Sequence, residues 1–147
     1  MLARLQRPTS PPEDLNLISG AAEHYWEVRL QGFRRHERMG PELIRWTRAN
    51  ASVAVPLLGR KPSAIRLKIA RAVEPTTKLT ITANGCTLYE GVVPKPEWEA
   101  TLPLAACDVA GDTLTLALTT NATRPKDRGD PRRLGVAVRH VILQTGE

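Results

Sequence analysis

A few aromatic and charged side chains are the residues of this chain whose types could do chemistry. Proteins bind sugars with aromatic faces, which stack on the apolar side of the ring, and with charged or amide groups that take paired hydroxyls. The available aromatic platforms are Trp26, Trp46, Tyr89 and Trp98. Trp98 follows a loop with two prolines, so we expect it to be the most exposed, either stacking on a ligand or anchoring its loop.

Arg132 and Asp130 are the polar groups that could grip a ligand beside such a platform. An internal role is the simpler interpretation, since an Asp before Pro often caps a turn. Arg132, at the entrance of a strand, can hold the carboxylate of Glu37 in a bidentate pair. We expect a second framework ion pair between Glu37 and Arg45.

Two further residues are predicted to support the fold. Trp46 leads into an apolar run, which favours packing in the core. Gly135 stands between Leu134 and a strand, where glycine marks a bulge or a close approach of the backbone.

The residues offer little for catalysis. His24, His36 and His140 are scattered, without HExxH or CxxC spacing, and none of the four serines lies in a GxSxG turn. Two acids could form a glycosidase pair, but nothing singles out which two. We therefore predict a noncatalytic protein without a metal or a cofactor.

The net charge of +6 would attract nucleic acid, anionic lipid or an acidic glycan through the same Coulomb attraction. The basic residues are spread from Arg4 to Arg139, and no run of five like charges occurs. This pattern favours a solvated basic surface and no specific nucleic-acid partner. Nucleic-acid binding is a further alternative, which would require the basic residues to converge on one face with aromatics among them.

The length of 147 residues suits one domain, which we place at residues 15–147 after a flexible proline-rich arm at residues 1–14. Twelve prolines and ten glycines punctuate short apolar segments. The chain is therefore predicted to be all-β, a two-sheet antiparallel β-sandwich of roughly eight to ten strands with no helix. No apolar stretch is long enough for a membrane helix.

Alternating apolar residues indicate where the strands lie. Trp26, Val28 and Leu30 alternate with charged residues and predict one strand, and residues 43–47 and 52–57 predict two more. Residues 15–18 predict a first short strand.

The turn pair Asn84-Gly85 predicts a type I′ hairpin. Its register pairs Ala83 with Cys86, Ile81 with Leu88, and Thr80 with Tyr89. Cys86 would then point inward and Tyr89 outward. We expect Cys86 and Cys107 to be reduced core residues, although sequence alone does not show whether they bond.

Residues 130–143, DPRRLGVAVRHVIL, lead from a turn into a strand with two apolar faces. One face carries Val136, Val138 and Ile142, and the other carries Ala137, Val141 and Leu143. A strand that is apolar on both faces belongs in the middle of a sheet with material on either side.

Three segments in this order, GFRRHE, IRWTRANASVAVPL and DPRRLGVAVRHVIL, resemble the jelly-roll-like β-sandwich modules of bacterial glycosyltransferases and other cell-envelope proteins. The resemblance extends over about residues 28–143, and these modules are similar in shape to galactose-binding-like carbohydrate modules. It implies an accessory domain whose partner is a glycan, or a protein of a larger assembly on which it docks. It also implies an extracytoplasmic location, whereas the N-terminal residues contain no apolar signal region, so a complete chain would be cytoplasmic.

Overall fold

The computed structural model describes residues 11–94, 97–109, 111–123 and 132–145. These residues form one short helix and nine strands, a number within the predicted range. The elements in chain order are α1 (Gly20–Trp26), β1 (Arg29–Phe33), β2 (Glu37–Met39), β3 (Glu42–Pro56), β4 (Pro62–Ala72), β5 (Lys78–Ala83), β6 (Cys86–Val92), β7 (Trp98–Pro103), β8 (Thr113–Thr120) and β9 (Val136–Thr145).

The strands form two antiparallel layers around a shared core, which confirms the predicted β-sandwich. The first layer has the order β6-β5-β8-β3-β1, and the second has the order β3-β9-β4-β7. Strand β3 belongs to both layers because residues 50–56 pair with β8, whereas Arg45 and Trp46 pair with β9. The two segments predicted as separate strands are therefore one 15-residue strand.

Alternating apolar side chains from both layers fill the core. Each fully buried Leu or Ile side chain contributes roughly 2 kcal/mol through removal of its surface from water. The residues of this core that are completely buried include Val53, Ile65, Leu67, Ile69, Leu79, Ile81, Leu114, Leu118, Val136, Val138 and Val141.

Strand β9 lies between β3 and β4, as its two apolar faces predicted. The assignment of residues to those faces was wrong beyond its middle. The pairing with β4 shifts near Arg139, so Val141 and Leu143 join the core with Val138, and Ile142 does not. One extra residue in a strand reverses the facing of every residue that comes after it.

Helix α1 was not expected from the sequence. The Oγ of Ser19 accepts a hydrogen bond from the amide of Ala22 (3.2 Å) and caps the start of the helix, and Glu27, the residue after its end, adopts a left-handed conformation. Trp26 therefore ends a helix and is 9% exposed, instead of starting a strand with Val28.

The described residues before α1 contribute only one bridge, between Asn16 and Ile142, so the predicted strand at residues 15–18 is wrong. The predicted arm at residues 1–14 falls mostly outside the described residues. No helix in the described part of the chain has the length and apolarity needed to cross a membrane.

The hairpin β5-β6 turns at Asn84-Gly85, and Ala83 pairs with Cys86 as predicted. A bulge then changes the register, so Ile81 lies opposite Tyr89 instead of Leu88. Tyr89 consequently faces the core, and the prediction of an outward-facing Tyr89 is wrong.

Cys86 and Cys107 form a disulfide, which corrects the expectation of two reduced thiols. The bond joins the start of β6 to the loop after β7, 21 positions away in the sequence. Whether two thiols meet depends on the distance and direction of their Cβ atoms, and this geometry follows from strand pairing.

Candidate functional site

Four arginines surround one cavity at the margin of the sandwich where β1 and β2 pair with β3. The cavity has a volume of about 350 Å³, and its lining residues are Phe33, Arg34, Arg35, Glu37, Arg48 and Arg132. We call it the arginine groove. Among the described residues, its lining has four guanidinium groups and a single carboxylate, a net charge of +3.

The lining residues come from three distant parts of the sequence. They belong to the segments GFRRHE, IRWTRANASVAVPL and DPRRLGVAVRHVIL, the same segments that resemble the jelly-roll-like modules. Strand pairing brings these segments together: Phe33 lies opposite Thr47, and the amide of Arg34 donates to the carbonyl oxygen of Trp46 (2.8 Å).

Gly32 allows the first segment to approach β3 this closely. Its φ is +74°, and a Cβ at this position would lie 1.9 Å from the carbonyl oxygen of Asn50. Only glycine accommodates both the left-handed backbone and the contact. The β1–β3 pairing is irregular at this point, and it resumes at Phe33, at the edge of the groove.

Glu37 and Arg132 form the bidentate pair suggested by the sequence. Nη2 of Arg132 lies 3.2 Å from Oε1 of Glu37, and Nη1 makes a second, shorter contact with Oε2. The side chains of Arg132 and Glu37 are 33% and 36% exposed, so water screens the pair and its net contribution to stability is at most about 1 kcal/mol. Its main effect is to orient both groups along one wall of the groove.

Arg45 does not pair with Glu37, and that prediction was wrong. Glu37 lies opposite Ile44 in the β2–β3 ladder, so the next residue along β3 points to the other face. There the Nη1 of Arg45 lies 3.3 Å from Oε1 of Glu23 and 3.3 Å from the carbonyl oxygen of Ile18. Its Nε donates to the carbonyl oxygen of Arg34 (2.7 Å).

The groove arginines differ in what they contact. Arg34 uses Nη2 to donate to the carbonyl oxygen of Arg133 (3.1 Å). Arg35 and Arg48 are exposed, and the structure shows no carboxylate paired with either among the described residues. Two guanidinium groups are therefore available to an anionic group that enters the groove.

Trp98 and Tyr89 lie at the opposite margin, where the edge strands β6 and β7 meet. Their ring centroids are 4.7 Å apart, and the hydroxyl of Tyr89 donates to the carbonyl oxygen of Val92. Trp98 pairs with Ile69, whose side chain is completely buried, so the Trp98 ring faces inward. Both rings are half-buried against the core, which favours loop anchoring over a sugar platform.

Gly135 and Trp46, two of the predicted framework residues, are also separate from the groove. Gly135 approaches two buried threonines closely, as a glycine before a strand was expected to do. Asp130 lies outside the described residues. Trp46 is 3% exposed and packs in a small second cluster with Ile44, Leu134 and Ala137.

Four other cavities have a different electrostatic character. Two of them are lined by two acids and one base, and the other two by equal numbers of acids and bases. Exposed large apolar side chains occur singly on separate elements, at Tyr25, Leu43, Leu58 and Val92. No group of three His, Cys, Asp or Glu side chains that could hold a metal is found in the described part of the chain.

The arginines of the groove stand out in the sequence, but no local pattern indicates that they come together. Arg34, Arg35 and Arg48 stand in the segments that carried the resemblance, yet of the four groove arginines only Arg132 was singled out as a ligand-binding candidate. The signal is the paired arginines in GFRRHE and DPRRLG together with the arginines of RWTR. It identifies the groove only once the structure shows that these segments converge.

Comparison with known proteins shows likeness in structure alone. No protein family and no curated protein matches the sequence. A family 35 carbohydrate-binding module from Clostridium thermocellum matches in structure with a TM-score of 0.50 and 11% identity, over 82% of this chain and 93% of that one. This likeness supports the sandwich fold.

A second solved structure, the CBM51-2 and INT domains of Clostridium perfringens ZmpB, has a TM-score of 0.41 and 10% identity. The match covers 84% of this chain and 29% of that one.

Proposed function

We propose that the chain is a noncatalytic carbohydrate-binding module that holds an anionic glycan in the arginine groove. The observation that carries the proposal is the convergence of Arg35, Arg48 and Arg132 on one cavity from three distant segments. The sandwich fold, which this chain shares with a carbohydrate-binding module, is compatible with such a role. Fold by itself does not determine function, so the proposal depends on the site.

The chemistry of the groove suits a sugar that carries a carboxylate or a phosphate. A guanidinium group presents two parallel N–H donors, which match two oxygens of either group. Arg35 and Arg48 are exposed and can reach such oxygens, while the pair formed by Arg132 and Glu37 keeps the wall of the groove in place.

The other contacts of the ligand would come from Phe33 and Glu37. Phe33 is half-buried in the core and lines the groove, where an aromatic surface suits the apolar side of a pyranose ring. The oxygens of Glu37 have further lone pairs that can accept hydrogen bonds from sugar hydroxyls. In this mechanism binding requires no bond to be broken, and the module would serve as an accessory part of a larger cell-envelope protein.

The test is a glycan array with neutral and acidic members, probed at low and at physiological salt. We expect acidic glycans to bind, and Arg48→Ala to weaken them about tenfold to a hundredfold, since a hydrogen bond to a charged group contributes about 1.5–3 kcal/mol. The matched control is Arg38→Ala, which removes an exposed arginine of β2 outside the groove.

Four outcomes would contradict the proposal. An equal loss in Arg38→Ala, or a uniform loss of signal with salt, would assign binding to the general basic surface. Equal binding of a DNA oligonucleotide would indicate a polyanion site without preference for sugar. Binding that is lost in Trp98→Ala but survives in Arg48→Ala would move the site to the Tyr89–Trp98 pair.

A further inference from the structure

We infer that Glu37 determines which anionic sugars the arginine groove accepts, favouring a singly charged group over a doubly charged one. The inference rests on the proposed function, because it concerns the same groove and the same class of ligand. It adds a specificity-determining residue and narrows the ligand to glycans with one negative charge per bound group.

Among the residues that the structure describes, Glu37 is the only acidic one that lines the groove. Its two carboxylate oxygens contact the two terminal nitrogens of Arg132, so the carboxylate is held at the wall and does not turn away into solvent. A ligand that enters the groove therefore meets a fixed negative charge beside the arginines.

The position of Glu37 divides the arginines by role. Arg132 already directs two donors at Glu37, and Arg34 directs one at the backbone of Arg133. Arg35 and Arg48 remain as exposed donors for the ligand. A carboxylate or a phosphodiester carries one negative charge, which these donors can match. A second negative charge on the same group would come closer to Glu37 and be repelled by it.

A phosphate monoester carries a charge of about −1.5 to −2 at neutral pH. In a cavity of about 350 Å³ that Glu37 lines, its additional charge would lie within several ångströms of the Glu37 carboxylate. Repulsion at that distance, in a site that water still reaches, is expected to weaken binding by about threefold to tenfold. Like-charge repulsion of this kind is a common source of specificity.

The experiment measures dissociation constants of glucuronate, glucose 6-phosphate and glucose by calorimetry or ligand-observed NMR, at one salt concentration and neutral pH. For the unaltered protein we expect glucuronate to bind more tightly than glucose 6-phosphate. Glu37→Gln should tighten the binding of glucose 6-phosphate by a factor about threefold to tenfold larger than the factor for glucuronate. Glu90→Gln, an exposed carboxylate of β6 outside the groove, is the matched control and should leave the ratio unchanged.

Glu37→Asp keeps the negative charge on a shorter side chain, so it should retain the preference even if overall affinity falls. If Glu37→Gln does not fold, the order in the unaltered protein decides, and glucose 6-phosphate that binds as tightly as glucuronate would overturn the inference. A ratio that is the same in the unaltered protein, Glu37→Gln and Glu37→Asp would overturn the inference while leaving the proposed function intact. If the unaltered protein binds neither anionic probe, nor any acidic member of the array, the proposed function itself fails.

Discussion

The backbone of Gly135 lies directly against Thr47. The amide of Gly135 donates to the carbonyl oxygen of Thr47 (2.9 Å), and Oγ1 of Thr47 accepts from the amide of Val136 (3.1 Å). A Cβ on Gly135 would lie 2.5 Å from that Oγ1 and 2.4 Å from Oγ1 of Thr120. The close approach predicted at Gly135 is therefore present, and it joins the start of β9 to β3.

Replacing Gly135 by alanine should destabilise the protein by about 3 kcal/mol, since both threonines are buried and cannot move away without losing contacts. Thermal unfolding should shift down by roughly 3 °C for each kcal/mol in a domain of this size. Gly20→Ala is the control, because nothing lies within 4 Å of a Cβ there. Equal melting temperatures for the two variants would contradict this account.

Removing the disulfide with Cys86→Ser and Cys107→Ser should lower the free energy of unfolding by about 3 kcal/mol. The bond closes a loop with a sequence separation of 21, and loop closure of that length restricts the unfolded chain by about this amount. Urea unfolding of the oxidised protein, the reduced protein and the double variant measures the effect. The reduced protein and the double variant should agree, and a reductant that changes nothing would refute the bond.

Replacing Arg45 by alanine should destabilise the docking of α1 by about 3 kcal/mol. The side chain is 12% exposed, and its guanidinium group contacts Glu23 of α1 and the carbonyl oxygens of Ile18 and Arg34. Amide hydrogen exchange should therefore accelerate in residues 16–26 before it does so in β8. Arg38→Ala, at an exposed position, is the control, and the same exchange pattern in both variants would argue against this role.

Stability should fall as the pH is lowered below about 6.5, partly through His140. Burial lowers the pKa of His140 from its usual 6.5; nearby Glu99 opposes this, whereas Arg66, Arg139 and Lys68 add to it. Its Nε2 lies 3.5 Å from Oε2 of Glu99 but makes no hydrogen bond with the residues that the structure describes.

Because the unfolded chain then takes up a proton at a higher pH than the native protein does, acid favours unfolding. His140→Gln should flatten the pH dependence of the free energy of unfolding from pH 6.5 downward. His36 also has a lowered pKa, through burial and the charge of Arg45, so the double variant should flatten it further. An unchanged slope in the double variant would exclude this origin.

Local patterns in the sequence predicted much of the fold correctly. The alternation along residues 52–57, the turn at Asn84-Gly85 and the two apolar faces of β9 are properties of a few consecutive residues. Alternation and apolar faces predict strands well because one face of each strand must be buried when the strands pair. The pairing of Arg132 with Glu37 also agreed with the prediction, which was based on the ability of an arginine at the start of a strand to pair with a carboxylate.

The predictions were wrong where a single residue changes the side of the sheet to which the following residues point, or changes their backbone conformation. The bulges near Tyr89 and Arg139 reverse which side chains face the core, and no local pattern marks an extra residue in a strand. Helix α1 was missed because its seven residues are too few for a clear periodic signal, although Ser19 is a typical cap.

The sequence by itself determined the class of fold, the central position of β9 and the basic charge of the molecule. Only the tertiary structure decided that Arg35, Arg48 and Arg132 surround one groove, that Trp98 faces inward, and that two cysteines meet. The physical reason is that burial and alternation are encoded in neighbouring residues. The convergence of distant residues instead depends on strand order, register and bulges, which arise only when the whole chain packs around one core.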